Sequence, residues 1–199
     1  MPKSAQIDSP VNEVWIETAD GWFEATFSGR GLAKLRFPPF GRIGPAAEPI
    51  SAQQPPVATE WLALTRGSLD RALAGHEIEA LPPLDLTRGT PFQRRVWGLL
   101  REIACGETRS YGEIAQSLGL SGAARAVGAA CGANPIPVII PCHRVLAARG
   151  RLGGFSAGLE WKRLLLSREG TNSAGSPVLP FEDSNPGRAR LPGDRTAKD

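Results

Sequence analysis

The chain has 199 residues, 41% of them hydrophobic and 22% charged, enough to bury a core in one or two small domains. No run approaches the apolar length that spans a bilayer, and Met1-Pro2-Lys3-Ser4 opens without a signal-like apolar segment, so neither a membrane partner nor secretion is expected. Three cysteines without a CxxC and two histidines argue against a disulfide scaffold and a four-ligand zinc site; the expectation is a reduced, cytoplasmic protein without metal.

The net charge of +3 conceals an asymmetry. Residues 1–89 carry 8 basic and 11 acidic side chains, whereas residues 90–170 carry 11 basic and 5 acidic ones. A basic half joined to an acidic half points to a polyanion as the partner of the second half, against the plain alternative of charge scatter.

Residues 1–10 read as a loose leader. Three strand candidates follow, Glu13–Thr18, Trp22–Phe27 and Leu32–Phe37, with Asp20-Gly21 and Gly29-Arg30-Gly31 at the hairpin turns. Pro38 to Pro56 is rich in Pro, Gly, Ala and Gln and reads as a connection. Residues 59–74 repeat apolar side chains at helical spacing through Trp61, Leu64, Leu69 and Leu73, and end at Gly75. His76 then reads as a surface histidine, and this first part as scaffold.

Pro82-Pro83 mark a junction. Thr90-Pro91-Phe92-Gln93 has an N-cap, a proline at the first helical position and a capping-box glutamine, opening a helix through Val96, Trp97, Leu100 and Ile103. Ser110-Tyr111-Gly112-Glu113 offers a second capping box for a short helix, Gly119 breaks it, and a third helix runs from about Gly122 to Cys131. Helix, short Gly-containing turn and helix form the helix-turn-helix pattern. The third helix carries one long polar side chain, Arg125, among small residues including Ala124, Ala126 and Ala129. That is too few readers for major-groove recognition. A smooth helix with one arginine suits close approach in the minor groove; the alternative is that small residues permit tight packing and Arg125 is a solvated charge.

Pro137-Val138-Ile139-Ile140 reads as a short buried strand or extended segment that delivers Pro141-Cys142-His143-Arg144-Val145 at its end. A thiol beside an imidazole and a guanidinium has the setting a thiolate needs, where a lone Cys is otherwise a buried structural residue. The glycine-rich loop from Gly150 to Ser156 lacks the spacing of a phosphate loop or dinucleotide fingerprint, so no nucleotide cofactor is expected. Residues 158–168 read as an amphipathic helix, with Leu159, Leu164, Leu165 and Leu166 opposed to Lys162, Arg163 and Arg168. Residues 171–199 read as a disordered tail.

Seven stretches resemble, in order, the O6-alkylguanine–DNA alkyltransferase family. They are Gly89–Gln93, Val96-Trp97, Gly106–Gly112, Ala124–Gly128, Asn134-Pro135, Pro141–Val145 and Gly153–Ser156. The resemblance implies an α+β fold: a small ribonuclease-H-like α/β domain with antiparallel strands over residues 1–80, then a helical, winged helix-turn-helix-like domain over residues 81–170 carrying the active-site Cys. It implies single-turnover direct reversal of O6-alkylguanine in double-stranded DNA, mainly O6-methylguanine, with O4-methylthymine the second lesion considered. DNA would be bound through the minor groove by a monomer, without cofactor.

By the same resemblance Cys142 is the alkyl acceptor, His143 the base acting through a water, Glu169 its orienting partner and Asn134 the residue that pins the active-site turn. Arg125 is the finger that fills the gap left by the rotated base, with Ala124, Ala126 and Ala129 around it on the DNA. Tyr111 crowds the flipped nucleotide's phosphate and gives the departing guanine a proton. Val145, Leu146, Gly153, Gly154, Phe155 and Ser156 line the base pocket. The chain departs from the family pattern at Ala104-Cys105, Gly132-Ala133 and Ala157, the last bearing on pocket width. Cys131, on the DNA-side helix, is a second thiol to consider.

The chemistry agrees with this set. An O6-alkyl group points into a paired duplex, so the base must be extruded. Displacement at saturated carbon then needs a thiolate and a means of neutralising the guanine anion, and leaves an inert thioether. Three alternatives stand beside it: a non-catalytic lesion sensor, in which another residue replaces the Cys; a helix-turn-helix regulator, short of base readers here; and a Cys–His hydrolase, for which His143 is an awkward neighbour, since adjacent residues of an extended segment point to opposite sides.

Overall fold

A computed structural model describes residues 12–41 and 56–171. The leader at 1–10 lies outside them, as do most of the connection after Pro38 and all of the tail at 171–199 but Thr171, whose amide donates to the Leu166 carbonyl at 2.9 Å. Three antiparallel strands, β1 (Asn12–Thr18), β2 (Gly21–Ser28) and β3 (Gly31–Arg36), form a meander in the order β1-β2-β3, as the hairpin turns predict. Along β2, alternate side chains from Gly21 to Phe27 are buried, the period-2 signature of a sheet with one face on the core.

Helix α1 (Pro56–Leu73) packs on the sheet. It begins three residues before the predicted start, within the stretch read as a connection, because a proline at the first helical position gives up an amide that has no intrahelical partner there. Helices α2 (Pro91–Leu100), α3 (Tyr111–Ser117) and α4 (Ala124–Gly132) follow, and α5 (Leu159–Arg168) closes the described chain. Both predicted capping boxes form. Thr90 Oγ1 accepts from Gln93 N–H at 3.2 Å while Thr90 N–H donates to Gln93 Oε1 at 2.8 Å, and Ser110 and Glu113 make the same exchange at 3.1 and 2.6 Å. Between α2 and α3, Arg109–Ser110 (β4) pairs in parallel with Val145–Leu146 (β5), which anchors the start of α3 beside the Cys142 segment.

Two expectations are corrected. Residues 137–140 are not a strand: Val138 and Ile139 form a tight buried turn, Val138 has φ 73°, and Pro137 bridges Ile140. The apolar character that suggested a strand serves burial alone, and the turn's amides are satisfied locally, with Ile140 N–H donating to the Ile136 carbonyl at 2.9 Å. Lys162 is not on the solvent face of α5 but wholly buried. It lies three and four residues before Leu165 and Leu166, on the face that those leucines bury.

One hydrophobic cluster joins the sheet to the helices, running from Ile16, Phe23 and Leu32 through Val96, Ile114 and Val127 to Trp161. Two contacts fix the site's loops to it. The Leu35 amide donates to the Pro135 carbonyl at 2.9 Å, tying β3 to the Asn134-Pro135 turn. Phe37 lies 4.8 Å from Trp161 and 5.7 Å from Phe155, ring centre to ring centre, so the sheet's last aromatic supports the loop that carries Phe155. Among the described residues no helix is long and apolar enough to cross a membrane.

Candidate active site

Cys142, His143 and Arg144 form a single 3-10 turn between the Val138–Ile139 turn and β5. The turn, rather than an extended segment, removes the objection to neighbouring Cys and His acting together, because successive residues of a turn need not oppose one another. All three side chains are buried, Cys142 being 4% exposed.

Asn134 fixes the thiol. Its Nδ2 donates to the Ile140 carbonyl at 2.8 Å and to Cys142 Sγ at 3.2 Å, while its Oδ1 accepts the Ile136 amide at 3.1 Å. One buried amide thereby pins both ends of the Ile136–Cys142 turn. Burial pushes the Cys142 thiol up; the Asn134 hydrogen bond and the Lys162 charge oppose that without overcoming it. The resting group is a thiol, so deprotonation has to be coupled to reaction.

His143 Nε2 is 2.8 Å from Glu169 Oε1. Burial raises the Glu169 carboxyl, but hydrogen bonds from His143 and Arg144, together with their charges, outweigh it and hold the group at about 2. An ionised Glu169 accepts the Nε2 proton, which leaves the lone pair of neutral His143 on Nδ1. That atom is buried and has no protein partner among the described residues. Burial lowers the imidazole's pKa more than Glu169 raises it, so His143 is neutral and able to take a proton at pH 7.

Arg144 completes the set. Its Nε and Nη2 reach Glu169 Oε2 and Oε1 at 3.0 and 2.9 Å, and Nη1 donates to the Ile103 carbonyl at 2.6 Å. Glu169 thus serves an imidazole and a guanidinium at once from the end of α5. From the sequence Arg144 reads only as a nearby charge; the residues of this bidentate clamp are separated by 25 positions, and nothing local signals it. Lys162 likewise reads as no more than a surface charge. Its Nζ donates to the carbonyls of Val145, at 2.7 Å, and Leu152, joining the Cys142 segment to the glycine-rich loop. Burial lowers it to about 8, opposed by Cys142 and Cys131, so it keeps its charge at pH 7 within electrostatic reach of both sulfurs.

Above Cys142 opens a cleft of about 620 Å³, walled by Tyr111, by Ala124, Arg125 and Gly128 of α4, by Ala147 and Ala148, and by Gly154, Phe155 and Ser156. Tyr111 is part-buried; burial first, then Cys131 and Cys142, push its phenol up to about 12, so it remains a proton donor. Gly153 has φ 67°, and a Cβ there would stand 3.2 Å from the Tyr111 hydroxyl; only glycine lets the loop approach so closely. On α4, Arg125, Ala126 and Ala129 are exposed and Ala124 partly so, while Val127, Ala130 and Cys131 face the core. Trp97 Nε1 holds α4 from behind through the Ala130 carbonyl at 2.8 Å.

The structure therefore brings Cys142, Tyr111, Arg125, Gly154, Phe155 and Ser156 to one cleft, with Asn134, His143 and Glu169 buried behind the cleft wall and linked to Cys142 by hydrogen bonds or chain adjacency. Val145 and Leu146 are buried in β5 behind it rather than on its wall, and Gly153 stands behind the wall residues Tyr111 and Ala147. Cys131 lines the cleft, but burial and the nearby Cys142 push its thiol up to about 12, which makes it a poor second nucleophile. His76 is exposed and does not line the cleft.

Residues 91–171 match the family model of the 6-O-methylguanine DNA methyltransferase DNA-binding domain. A methylated-DNA–protein-cysteine methyltransferase of Mycolicibacterium paratuberculosis is 54% identical over 106 residues, covering 53% of this chain and 64% of that protein. Its Salmonella typhimurium counterpart is 49% identical over 108 residues, covering 52% and 63%. The match thus spans a little under two thirds of these curated relatives. The crystal structure of Mycobacterium tuberculosis OGT in complex with DNA superposes with a TM-score of 0.61 at 40% identity, over 78% of this chain and 90% of that one. The O6-methylguanine-DNA methyltransferase of Pyrococcus kodakaraensis gives 0.54 at 25% identity, over 81% and 100%. In sequence and in fold, the chain belongs to the O6-methylguanine-DNA methyltransferase family.

Proposed function

We propose that this protein repairs O6-alkylguanine in duplex DNA by moving the alkyl group onto Cys142, once per molecule. The observation that carries the reading is a buried thiol held by Asn134 on the wall of a cleft roomy enough to admit a base, beside a neutral imidazole oriented by Glu169, which Arg144 clamps in turn. The extruded base enters the cleft under the Tyr111 ring. The thiol proton passes through a water to His143 Nδ1, and Lys162 stabilises the thiolate. Sγ bonds the alkyl carbon as the O6–carbon bond breaks, and Tyr111 protonates the guanine that leaves, to be reprotonated in turn from solvent. The imidazolium is stabilised by Glu169. No cofactor enters this sequence, and the thioether product has no carbonyl for water to attack, so the protein is consumed.

DNA binding is supported by the family's DNA-binding domain and by the relative crystallised with DNA. In our reading a monomer approaches the minor groove with the Ala126–Ala129 surface of α4, and Arg125 takes the place of the extruded base. The sheet and α1, to about residue 80, serve as a ribonuclease-H-like scaffold. Residues 81–170 form the winged helix-turn-helix unit.

Incubation with duplex containing O6-methylguanine, followed by chromatography of the released nucleosides, tests the proposal. One lesion should return to guanine per protein molecule, with no further turnover; an unchanged lesion content would refute repair. Arg125→Ala should lower the rate on duplex at least tenfold relative to the rate on free O6-alkylguanine base, because only duplex requires extrusion. Equal losses on both substrates would count against the finger. The transfer rate should stay flat from pH 7, where Lys162 keeps its charge, down past 6.5, the ordinary histidine value, because burial keeps His143 neutral to lower pH. A midpoint at or above 6.5 would exclude His143 as the base.

A further inference from the structure

Beyond the cleft wall the chain makes a tight turn through Ala148-Arg149-Gly150-Arg151. Arg149 has φ 62° and ψ 32°, Gly150 has φ 70°, and the Ala147 amide donates to the Arg151 carbonyl at 2.7 Å. Left-handed geometry at both central positions is the pattern of a type I′ turn, which favours Asn-Gly or Asp-Gly. Asn and Asp tolerate that conformation through their short side chains' local hydrogen bonds. Arginine gains nothing of the kind, and only one other non-glycine among the described residues, the buried Val138, has positive φ. The Arg149 side chain is exposed and has no hydrogen bond or ion pair among the described residues.

The turn adjoins the cleft at the place where Ala147 and Ala148 form its wall, with Arg125 on α4 another part of that wall. Local strain retained at the mouth of a functional cleft, with an uncommitted cation at its tip, calls for an anionic ligand. We propose that Arg149 binds a DNA phosphate next to the extruded nucleotide, so that the strand is held from the 147–151 turn as well as from α4. This rests on the reading of the cleft as a lesion-base site. Arg149 is exposed at the tip of the turn, and the contact is to backbone phosphate, blind to sequence.

Arg149→Gly tests it, because glycine accepts the turn's dihedrals and the fold is retained. Binding of lesion duplex is measured across a salt series. Loss of one phosphate contact should reduce the slope of log K against log salt by about 0.9, and affinity at 0.15 M salt about fivefold. The duplex-to-free-base rate ratio should fall in parallel, and Arg149→Lys should restore the slope. A wild-type slope in Arg149→Gly, in a protein that still repairs duplex, would overturn the phosphate contact alone. A wild-type protein that neither binds lesion duplex nor repairs it would overturn the reading of the cleft, and the Arg149 contact with it.

Discussion

Cys142→Ala is expected to abolish alkyl transfer, by more than about a thousandfold, while lesion-containing duplex remains bound within about twofold. The thiol is the one nucleophile suitably placed on the cleft wall, since Cys131 is held protonated by burial and Cys105 bonds the Gly75 carbonyl away from it. In the proposed function the DNA is met by the exposed side chains of α4, Arg125, Ala126 and Ala129, and not by the sulfur. Removing it costs the fold about 1 kcal/mol, because Asn134 Nδ2 retains the Ile140 carbonyl as acceptor. Filter binding and a single-turnover transfer assay on the same preparation separate the two effects. Residual transfer near the wild-type rate would mean that another group accepts the alkyl.

Glu169→Gln should be the most destabilising conservative change in the site. It leaves the Arg144 guanidinium, 5% exposed, without a counter-charge, and breaking a buried pair from one side costs about 3–5 kcal/mol. The retained amide oxygen places the expectation at the lower end, about 3 kcal/mol, or roughly 6–12 °C in melting temperature for a chain of this size. The sign with pH follows from the carboxyl's shift from 4.5 to about 2. Its stabilisation is complete above 4.5 and is lost as pH falls through 2. Denaturant titrations should therefore show the gap between wild type and Glu169→Gln roughly halved at pH 3 relative to pH 7. A gap independent of pH would mean that the carboxylate charge does not hold the pair together. Transfer should fall further than stability accounts for, since an amide no longer fixes the His143 proton on Nε2.

Local signals made much of this fold legible. Thr90 with Gln93 and Ser110 with Glu113 announce two helix starts through side chains three residues apart, and the turn residues of the meander announce three strands. The motif around Cys142, together with the resemblance it carries, named most of the side chains that meet at the cleft. What escaped was decided by tertiary structure. Val138 is β-branched and disfavours positive φ, so nothing in 137–140 betrays a turn; packing and the hydrogen bonds from Asn134 impose it. The Arg144–Glu169 clamp joins positions too far apart for any periodicity. Lys162 was within reach of sequence reasoning, because its spacing from Leu165 and Leu166 places it on the buried face. A lysine on an amphipathic helix reads as solvated, which conceals a cation within electrostatic reach of the thiol.

The most direct test of the account is mass spectrometry of the intact protein and its peptides after reaction with excess duplex containing one O6-methylguanine. One added methyl per molecule is expected, confined to the peptide bearing Cys142, with no second addition at Cys131. A protein that binds the lesion yet keeps its mass, or that carries the methyl elsewhere, would contradict it.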